Sequence, residues 1–344
     1  MKRIDLRSDT ATLPTPAMRE AMYRAELGDD VNGEDPTANR LEELAAERLG
    51  KEAGIFVTSG TQGNLLSILS HTQRGDEVIV GDKSHILGSE VAGAACLGGV
   101  QLRSVPNDPR GRLDPADVSA TIRGQNIHFP RTALICLENT HNRCNGAALS
   151  FEAMHPIVEI AHQHGIPLHV DGARIFNAAV ALGVRPADLV REVDSVQFCL
   201  SKGLSAPIGS LIVGRRDFID RARKFRKMVG GGMRQVGVIA AAGIVALDEM
   251  VDRLAEDHAN AKLLVRGMAS IPGIEVEPDV VETNIIFYRV NGMPIADFAE
   301  RLKQRGVIVG GGRIVTHWGV ERDDIEYTLE QMQAAVGARE ASVA

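Results

Sequence analysis

The sequence contains few cysteines and aromatic residues, and it has no long apolar run. Four cysteines lie far apart without a CxxC pair, namely Cys96, Cys136, Cys144 and Cys199, so the sequence predicts neither a zinc site nor a disulfide scaffold. No stretch approaches the roughly 18–20 consecutive apolar residues of a membrane helix. The first residues, MKRIDLR, lack the apolar segment of a secretory signal. We therefore expect a cytoplasmic protein with no membrane partner.

An excess of basic residues is also missing. The 344 residues include 38 Lys and Arg against 45 Asp and Glu, which gives a formal net charge of −7. This acidic balance argues against a nucleic-acid partner, whose phosphates select basic surfaces. Hydrophobic residues make up 44% and charged residues 24%, as is usual for a globular enzyme. At about 150 residues per domain, the length predicts two domains.

Short apolar runs alternate with helical segments of about 10–15 residues from residue 55 onward. The predicted strands are residues 55–57, 77–80, 133–137, 166–170 and 195–199. Such alternation is typical of an α/β protein with a mostly parallel sheet flanked by helices. Ligands of these proteins bind beyond the carboxyl ends of the strands. Polar residues of this chain cluster at those ends, so we expect the functional site there.

Three regions are predicted along the chain. Residues 1–35 form an N-terminal arm with a short helix at 16–25, residues 36–245 a large domain, and residues 246–344 a small α+β domain. Glycine at position 50 is the predicted stop of a helix with leucines at helical spacing. One alanine-rich helix is predicted over residues 235–268, with the domain boundary inside it.

The segment TSGTQGN, residues 58–64, lies between a predicted strand and an apolar helix. Small residues at a helix N-terminus offer free N–H groups to an anion, and the helix dipole adds to the attraction. The segment is neither GxGxxG nor GxxxxGK[ST], which argues against dinucleotide and P-loop sites. A phosphate site and an ordinary helix cap both remain open on this segment alone.

Asp171 and Lys202 each follow a predicted strand. They could form an ordinary salt bridge at the sheet rim. A partly buried lysine in a tight Ser-Lys-Gly turn is also suited to Schiff-base chemistry, because burial frees its amine. A buried aspartate can hold a pyridine nitrogen protonated and make the ring an electron sink. A phosphate cradle, an aspartate and a lysine in this order point to pyridoxal phosphate.

The chain resembles the low-specificity L-threonine aldolases, in the aspartate-aminotransferase-like group of pyridoxal-phosphate enzymes, over nearly its whole length. The resemblance rests on these motifs: IDLRSDT (4–10), GDDVNGEDP (28–36), SGTQGN (59–64), ENTHN (138–142), HVDGARIFNA (169–178), CLSKGLSAPIGSLIVG (199–214), RKMVGGGMRQ (226–235) and RIVTH (313–317). Several long motifs in one order are far more specific than any one of them.

The resemblance implies roles for individual residues. Lys202 forms the Schiff base with the cofactor, and Asp171 pairs with the pyridine nitrogen. The other implied cofactor-binding residues are Gly60, Thr61 and Gln62 at the phosphate, His85 stacked on the ring, Arg174, and Lys227 and Arg234 reaching in from a neighbouring subunit. A homo-oligomer, most simply a homotetramer, follows from the same resemblance. No metal is predicted, because no ligand spacing supports one.

The implied reaction is retro-aldol cleavage of L-threonine, L-allo-threonine and related β-hydroxy-α-amino acids to glycine and an aldehyde. Ser8, Arg174 and Arg313 are the implied substrate-carboxylate ligands, since a guanidinium suits bidentate recognition of a carboxylate. His85 is the first candidate for the base that takes the hydroxyl proton, and His128 is the second. The alternatives are another pyridoxal-phosphate reaction, such as β-elimination, racemisation or transamination, and a non-catalytic ligand-binding protein.

Overall fold

The computed structural model describes residues 3–337 and places a seven-stranded sheet at the centre of this part of the chain. The strands are β1 (Ile4–Asp5), β2 (Ala53–Val57), β3 (Glu77–Gly81), β4 (Gln101–Val105), β5 (Thr132–Glu138), β6 (Leu168–Asp171), β7 (Ser195–Cys199), β8 (Ser210–Gly214), β9 (Ile274–Glu275), β10 (Ile285–Phe287), β11 (Arg289–Val290), β12 (Val307–Ile308) and β13 (Arg313–Val315). The helices are α1 (Pro16–Arg24), α2 (Pro36–Leu49), α3 (Gly60–His71), α4 (His85–Gly88), α5 (Gly93–Gly98), α6 (Pro115–Thr121), α7 (Phe151–Gln163), α8 (Ile175–Leu182), α9 (Pro186–Leu189), α10 (Arg216–Met228), α11 (Gly237–Glu249), α12 (Leu254–Ala269), α13 (Ile295–Lys303) and α14 (Arg322–Gly337).

The strand order of the central sheet is β2-β8-β7-β6-β5-β3-β4. Neighbours from β7 through β4 pair in parallel, whereas β8 runs antiparallel to both β7 and β2. All these strands except β8 therefore point the same way. The predicted α/β architecture with a mostly parallel sheet is confirmed.

Each predicted strand overlaps an observed strand of the central sheet, but two strands of this sheet, β4 and β8, were not predicted. The residues of β4, QLRSV, are mostly polar and partly exposed, because the strand lies at the edge of the sheet. The run SLIVG of β8 is fully buried and short. Its antiparallel direction breaks the alternation of strand and helix on which the prediction depended.

Local signals set the helix ends as the sequence predicts. The carboxylate of Asp35 caps α2 by accepting the N–H of Ala38 at 2.9 Å, and Pro36 occupies the first helical position. Gly50 ends the helix with a φ of +63°, a conformation that glycine adopts at little cost. The short arm helix, predicted over 16–25, ends one residue earlier in α1.

The single helix predicted over residues 235–268 is wrong, because the chain forms α11 and α12 with a break between them. Met250 and Leu254 on either side of the break are buried in the core around the central sheet. Ala261, Leu264, Val265 and Met268 of α12 are buried in a second core. The helix propensity of this stretch is continuous, and packing onto two cores overrides it.

Two large hydrophobic clusters divide the described chain. The first surrounds the central sheet, and the second joins α12, α13, α14 and the short strands of the C-terminal part. Ile4 and Leu6 of the N-terminal arm belong to the second cluster, and β1 pairs with β12. The arm is thereby tied to the C-terminal part. The helices of residues 3–337 include none that is long and apolar enough to span a membrane.

Candidate active site

The polar residues predicted from the sequence gather at one edge of the central sheet. Strands β2, β3, β5, β6 and β7 point the same way, so their carboxyl ends meet there. The residues at or just after these ends are Gly60 (β2), His85 (β3), Glu138 (β5), Asp171 (β6) and Lys202 (β7). The parallel direction of the strands thus places at one sheet edge residues that are up to about 140 positions apart in the sequence.

The N-terminus of α3 is shaped to receive an anion. Ser59 caps the helix by accepting the N–H of Gln62 at 3.2 Å, which leaves the N–H groups of Gly60 and Thr61 without an intrahelical acceptor. The Gln62 side-chain oxygen accepts the N–H of Thr58 at 2.9 Å. The N–H groups of Gly60 and Thr61 are therefore available to a ligand, whereas the N–H and the side-chain oxygen of Gln62 are used within the turn.

Glycine is required where this helix meets the sheet. A Cβ at Gly60 would lie 2.8 Å from Sγ of Cys199, and a Cβ at Gly63 would lie 2.4 Å from Cγ of Gln197. Since real Cβ atoms do not approach other heavy atoms so closely, side chains at these positions would push α3 away from β7. The two glycines bring the positive end of the helix dipole up to the carboxyl end of β7.

Asp171 is a buried carboxylate held by neutral donors. Its Oδ2 accepts from Nδ2 of Asn64 at 2.9 Å, and its Oδ1 accepts from Nε2 of Gln197 at 3.2 Å. Burial by itself raises the pKa of Asp171, but the positive charges of Lys202 and His85 and these hydrogen bonds outweigh it, so the pKa lies below its usual value. Asp171 is therefore an anion at neutral pH.

The turn that carries Lys202 is fixed by its backbone. The carbonyl of Lys202 accepts the N–H of Ser205 at 2.9 Å and the hydroxyl of Thr12 from the arm at 3.0 Å. Gly203 packs so closely that an added Cβ would lie 2.8 Å from Leu254. The ammonium group of Lys202 lowers the pKa of both Asp9 and Asp171, so its charge acts on the two buried carboxylates at once.

His85 begins α4 and is held through both its backbone and its ring. Its N–H donates to Oε2 of Glu138 at 2.7 Å, and its Nδ1 lies 2.7 Å from Oε1 of Glu90. The hydrogen bond to Glu90 raises the pKa of His85. With Nδ1 taken, Nε2 is the ring atom that can exchange a proton with a ligand.

Glu138 is a second buried carboxylate of the site. It accepts the backbone N–H groups of His85 at 2.7 Å and of Asn142 at 2.8 Å. Burial, together with the negative charge of Asp171, raises the pKa of Glu138 to about 7.

His85, Glu90 and Asp171 offer ligand atoms within 4.8 Å of one another, as a metal site could. Hydrogen bonds already explain why these three side chains lie close together. Asn64 donates to the carboxylates of Glu90 and Asp171, and Glu90 is hydrogen-bonded to His85.

The two arginines expected at the substrate carboxylate have different environments. Arg174 donates from Nε and Nη2 to the carboxylate of Asp9 at 2.6 and 2.7 Å, in a buried bidentate pair. Its Nη1 lies 3.3 Å from Oδ1 of Asn142. Most of the Arg174 guanidinium thus binds the arm of its own chain, a contact that was not predicted from the sequence.

Arg313, in contrast, keeps donors available. Its Nη2 donates to Oδ1 of Asn142 at 2.9 Å, while its buried Nε has no hydrogen-bond partner among the described residues. Burial and the positive charge of Arg174 lower the pKa of Arg313 to about 10, which leaves the guanidinium charged at neutral pH. An unpartnered buried donor on a charged group is costly unless an anion binds there. Ser8, beside Asp9, brings a hydroxyl from the arm to the same region.

Other predicted site residues lie outside this cluster within one chain. His128 is exposed in the loop that precedes β5, whereas Asp171 and Lys202 lie at the opposite ends of the strands. Lys227 and Arg234 are exposed and flank a glycine turn, and a Cβ at Gly231 in this turn would contact Gln62 at 2.2 Å. Arg234 forms an ion pair with Asp29 at 2.7 Å. Their roles toward a cofactor or substrate stay predictions.

Several residues that organise the site were not singled out from the sequence. They are Asp9, Asn64, Glu90, Asn142, Ser195 and Gln197. One signal was present: Ser195 and Gln197 are polar residues on the inner strand β7, where polar groups need partners. The sequence around Glu90 carried no such signal, because Glu90 lies in a loop after the very short helix α4 and not on a predicted strand.

Comparison with known proteins assigns the chain to a family. Residues 5–291 match the family model described as beta-eliminating lyase. The chain belongs to this family. It is 48% identical to low-specificity L-threonine aldolase 1 of Arabidopsis thaliana over 98% of this chain and 97% of that protein. It is 47% identical to the low specificity L-threonine aldolase of Escherichia coli K12, over 94% and 96% of the two chains. The predicted family is confirmed.

Solved structures support the same fold for this lyase. The threonine aldolase of Leishmania major superposes with a TM-score of 0.81 at 21% identity, covering 97% of this chain and all of that one (100%). Serine palmitoyltransferase of Sphingomonas wittichii gives a TM-score of 0.79 at 19% identity, covering 98% of this chain and 88% of that one. At such identities the likeness establishes the fold, which is the predicted one.

Proposed function

We propose that this lyase is a pyridoxal-phosphate-dependent aldolase that cleaves L-threonine, L-allo-threonine and related β-hydroxy-α-amino acids to glycine and an aldehyde. The observation that carries the proposal is the meeting of Asp171, Lys202 and the free N-terminus of α3 at one sheet edge, in a chain 48% identical to a low-specificity L-threonine aldolase. It is thus a carbon–carbon lyase, and no observation favours β-elimination, racemisation or transamination over this reaction.

The residues fit the proposed cofactor. Gly60 and Thr61 offer N–H groups for a phosphate, the anionic Asp171 suits a protonated ring nitrogen, and Lys202 would be the nucleophile that binds the aldehyde carbon of the cofactor. When bound, pyridoxal phosphate supplies the electron sink that stabilises the carbanion left by carbon–carbon cleavage. Because the buried carboxylate of Asp171 stays ionised, it would keep the ring nitrogen protonated, and the electron sink depends on that proton.

The substrate carboxylate is bound chiefly by Arg313. Its free Nε and its charge suit a carboxylate, and Asn142 holds its Nη2 in place at 2.9 Å. Arg174, paired with Asp9, also donates from Nη1 to the same Asn142 oxygen at 3.3 Å. Fixing the carboxylate also fixes which bond at Cα is oriented for cleavage.

His85 is the base in this proposal. Its Nδ1 is bound to Glu90, so Nε2 takes the proton of the β-hydroxyl group. Neutral His85 is the active form, and the hydrogen bond to Glu90 raises the pKa of His85, so protonation of the ring lowers activity on the acidic side. The acidic limb of the pH profile should therefore report His85.

Replacing Glu90 by glutamine should move that limb. Glu90→Gln removes the carboxylate that stabilises the imidazolium, so the pKa of His85 falls and the acidic limb of kcat/KM shifts to lower pH. The measurement is kcat/KM from pH 5 to 9 for both proteins. Glu159→Gln on the exposed face of α7 serves as the control. An acidic limb that stays in place in Glu90→Gln would rule out His85 as the titrating base.

The two arginines should respond differently to replacement by leucine. Arg313→Leu should lower kcat/KM by roughly 10²-fold through loss of a buried charge pair with the substrate, with thermal stability little changed. Arg174→Leu leaves Asp9 buried and unpaired, so it should lower the free energy of unfolding by about 3–5 kcal/mol. Steady-state kinetics and urea unfolding of both variants test this. Equal destabilisation by the two substitutions would contradict the division of roles.

The proposed reaction is tested by product analysis. Purified protein with added pyridoxal phosphate is incubated with L-threonine and L-allo-threonine in parallel, and D-threonine serves as the control. Aldehyde and glycine from the L-isomers alone are the expected result, and the ratio of rates gives the preference between the two. Keto acid or ammonia without aldehyde would refute the aldolase and favour another reaction of the same cofactor.

The proposal also includes the oligomeric state, the cellular location and the domain division that were predicted from the sequence. A homotetramer is supported by apolar side chains left exposed on the arm and at the end of α10, including Tyr23 at 86% and Met228 at 74%. Lys227, Arg234 and His128 are exposed as well, so a neighbouring subunit can receive them. We further propose a cytoplasmic location. The domain division near residue 245 stays part of the proposal, and the change from the first hydrophobic cluster to the second lies close by, between Leu254 and Ala261.

A further inference from the structure

A continuous line of buried polar groups leads away from Asp171 through the sheet. Nδ2 of Asn64 lies 2.9 Å from Oδ2 of Asp171, and Oδ1 of Asn64 lies 3.2 Å from Nε2 of His169. Nδ1 of His169 is 2.9 Å from the hydroxyl of Ser195, which is 2.8 Å from Nε2 of His71. Asn64, His169 and Ser195 are at most 1% exposed.

The direction of every hydrogen bond in this line follows from its ends. Asn64 faces two carboxylates, Asp171 and Glu90, so its amide nitrogen points to them and its oxygen must accept from Nε2 of His169. A neutral His169 then accepts at Nδ1 from the Ser195 hydroxyl. The Ser195 oxygen in turn accepts from Nε2 of His71. All donors point toward Asp171.

Both histidines of the line are neutral. Burial lowers the pKa of His71 to about 3 and that of His169 to about 4. The ring of His71 stacks on Phe218 with centroids 4.4 Å apart, which fixes its plane. The far side of His71 borders a surface cavity of about 520 Å³ that also includes Arg131, Arg221 and Asp217. The line thus adds aligned dipoles, and no competing charge, to the surroundings of Asp171.

We propose that Asn64, His169, Ser195 and His71 are positioning residues, which hold an aligned chain of hydrogen bonds on Asp171 and keep its carboxylate ionised and fixed for the ring nitrogen of the cofactor. The inference rests on the proposed function and extends it to residues that do not touch the cofactor. Aligned hydrogen bonds polarise one another, so a break at Ser195 weakens the donor strength at Asn64. A merely structural role would predict no effect on the cofactor.

The tautomers of the two histidines provide the first test. Nitrogen-15 NMR of the histidine rings in the holoprotein should show His71 and His169 neutral from pH 5 to 9, each with its proton on Nε2. The signals are assigned by their loss in His71→Gln and His169→Gln. A charged ring, or a proton on Nδ1 of His169, would overturn the proposal. This measurement does not depend on turnover.

The second test breaks the chain with the loss of one oxygen atom. Ser195→Ala should lower kcat about 5- to 10-fold with KM unchanged, the range expected from one hydrogen bond, and should give His169 a mixture of tautomers. In the same variant, the nitrogen-15 signal of labelled pyridoxal phosphate should shift toward that of an unprotonated ring nitrogen. Ser195→Thr, which keeps the hydroxyl, should restore kcat, the single tautomer of His169 and the nitrogen-15 signal of the cofactor.

The matched control is Ser70→Ala, which removes a buried hydroxyl from α3 that has no hydrogen-bond partner among the described residues. It should leave the tautomers, the cofactor signal and kcat unchanged. If Ser195→Ala folds and keeps both the kcat and the cofactor signal of the unsubstituted protein, the chain is structural and the proposal is wrong. If His71 and His169 show the expected tautomers but the protein releases no aldehyde, only the proposed aldolase function is refuted. Aldehyde release with other tautomers would refute the positioning chain alone.

Discussion

Lys202→Ala is expected to reduce aldehyde release from L-threonine by at least about 10³-fold while the protein stays folded. The side chain supplies the nucleophile, and the charge of its amine acts on both Asp9 and Asp171. The turn itself is held by backbone contacts to Thr12 and Ser205, which alanine preserves. The measurements are steady-state turnover and thermal unfolding of the two proteins.

Borohydride reduction adds a readout that does not depend on turnover. With pyridoxal phosphate present, the unsubstituted protein should gain the mass of the reduced cofactor on the peptide that contains Lys202, whereas Lys202→Ala should not. Lys224→Ala, on the exposed face of α10, is the matched control and should behave as the unsubstituted protein does. Undiminished activity in a folded Lys202→Ala protein would refute both the assignment of this residue and the proposed chemistry.

Asp171→Asn should give the second large effect, a loss of about 10²–10³ in kcat, as is typical when a preorganised charge opposite a reacting group is removed. Asparagine keeps the shape of the side chain but cannot hold a positive charge on the ring nitrogen. The amide donors of Asn64 and Gln197 would then face a neutral group. Cofactor binding should also weaken, as measured by titration of the apoprotein with pyridoxal phosphate.

The control for this substitution is Asp188→Asn, which changes an exposed ion pair with Arg185. Exposed ion pairs of this kind contribute little to stability, so activity and cofactor affinity should not change. A kcat for Asp171→Asn within a few-fold of the original would show that the ring nitrogen does not depend on this carboxylate. The electron-sink account of the reaction would then fail for this chain.

The type of fold and much of the candidate site could be predicted from the amino-acid sequence. Short apolar runs that end in polar residues predicted β2, β3, β5, β6 and β7, and their carboxyl ends do form the site edge. The prediction succeeded because parallel strands are buried on both faces and leave a clear apolar signal. Asp171, Lys202 and the N-terminus of α3 were found for the same reason, since each directly follows such a run.

Only the tertiary structure decided how those groups are charged and held. The bidentate pair of Arg174 with Asp9 joins residues 165 positions apart, and the line from His71 to Asp171 crosses two elements of the sheet and one helix. The break between α11 and α12 likewise comes from two cores competing for one helical stretch. Buried polar groups take whichever partners the packed chain brings within hydrogen-bond distance, and sequence periodicity carries no record of those partners.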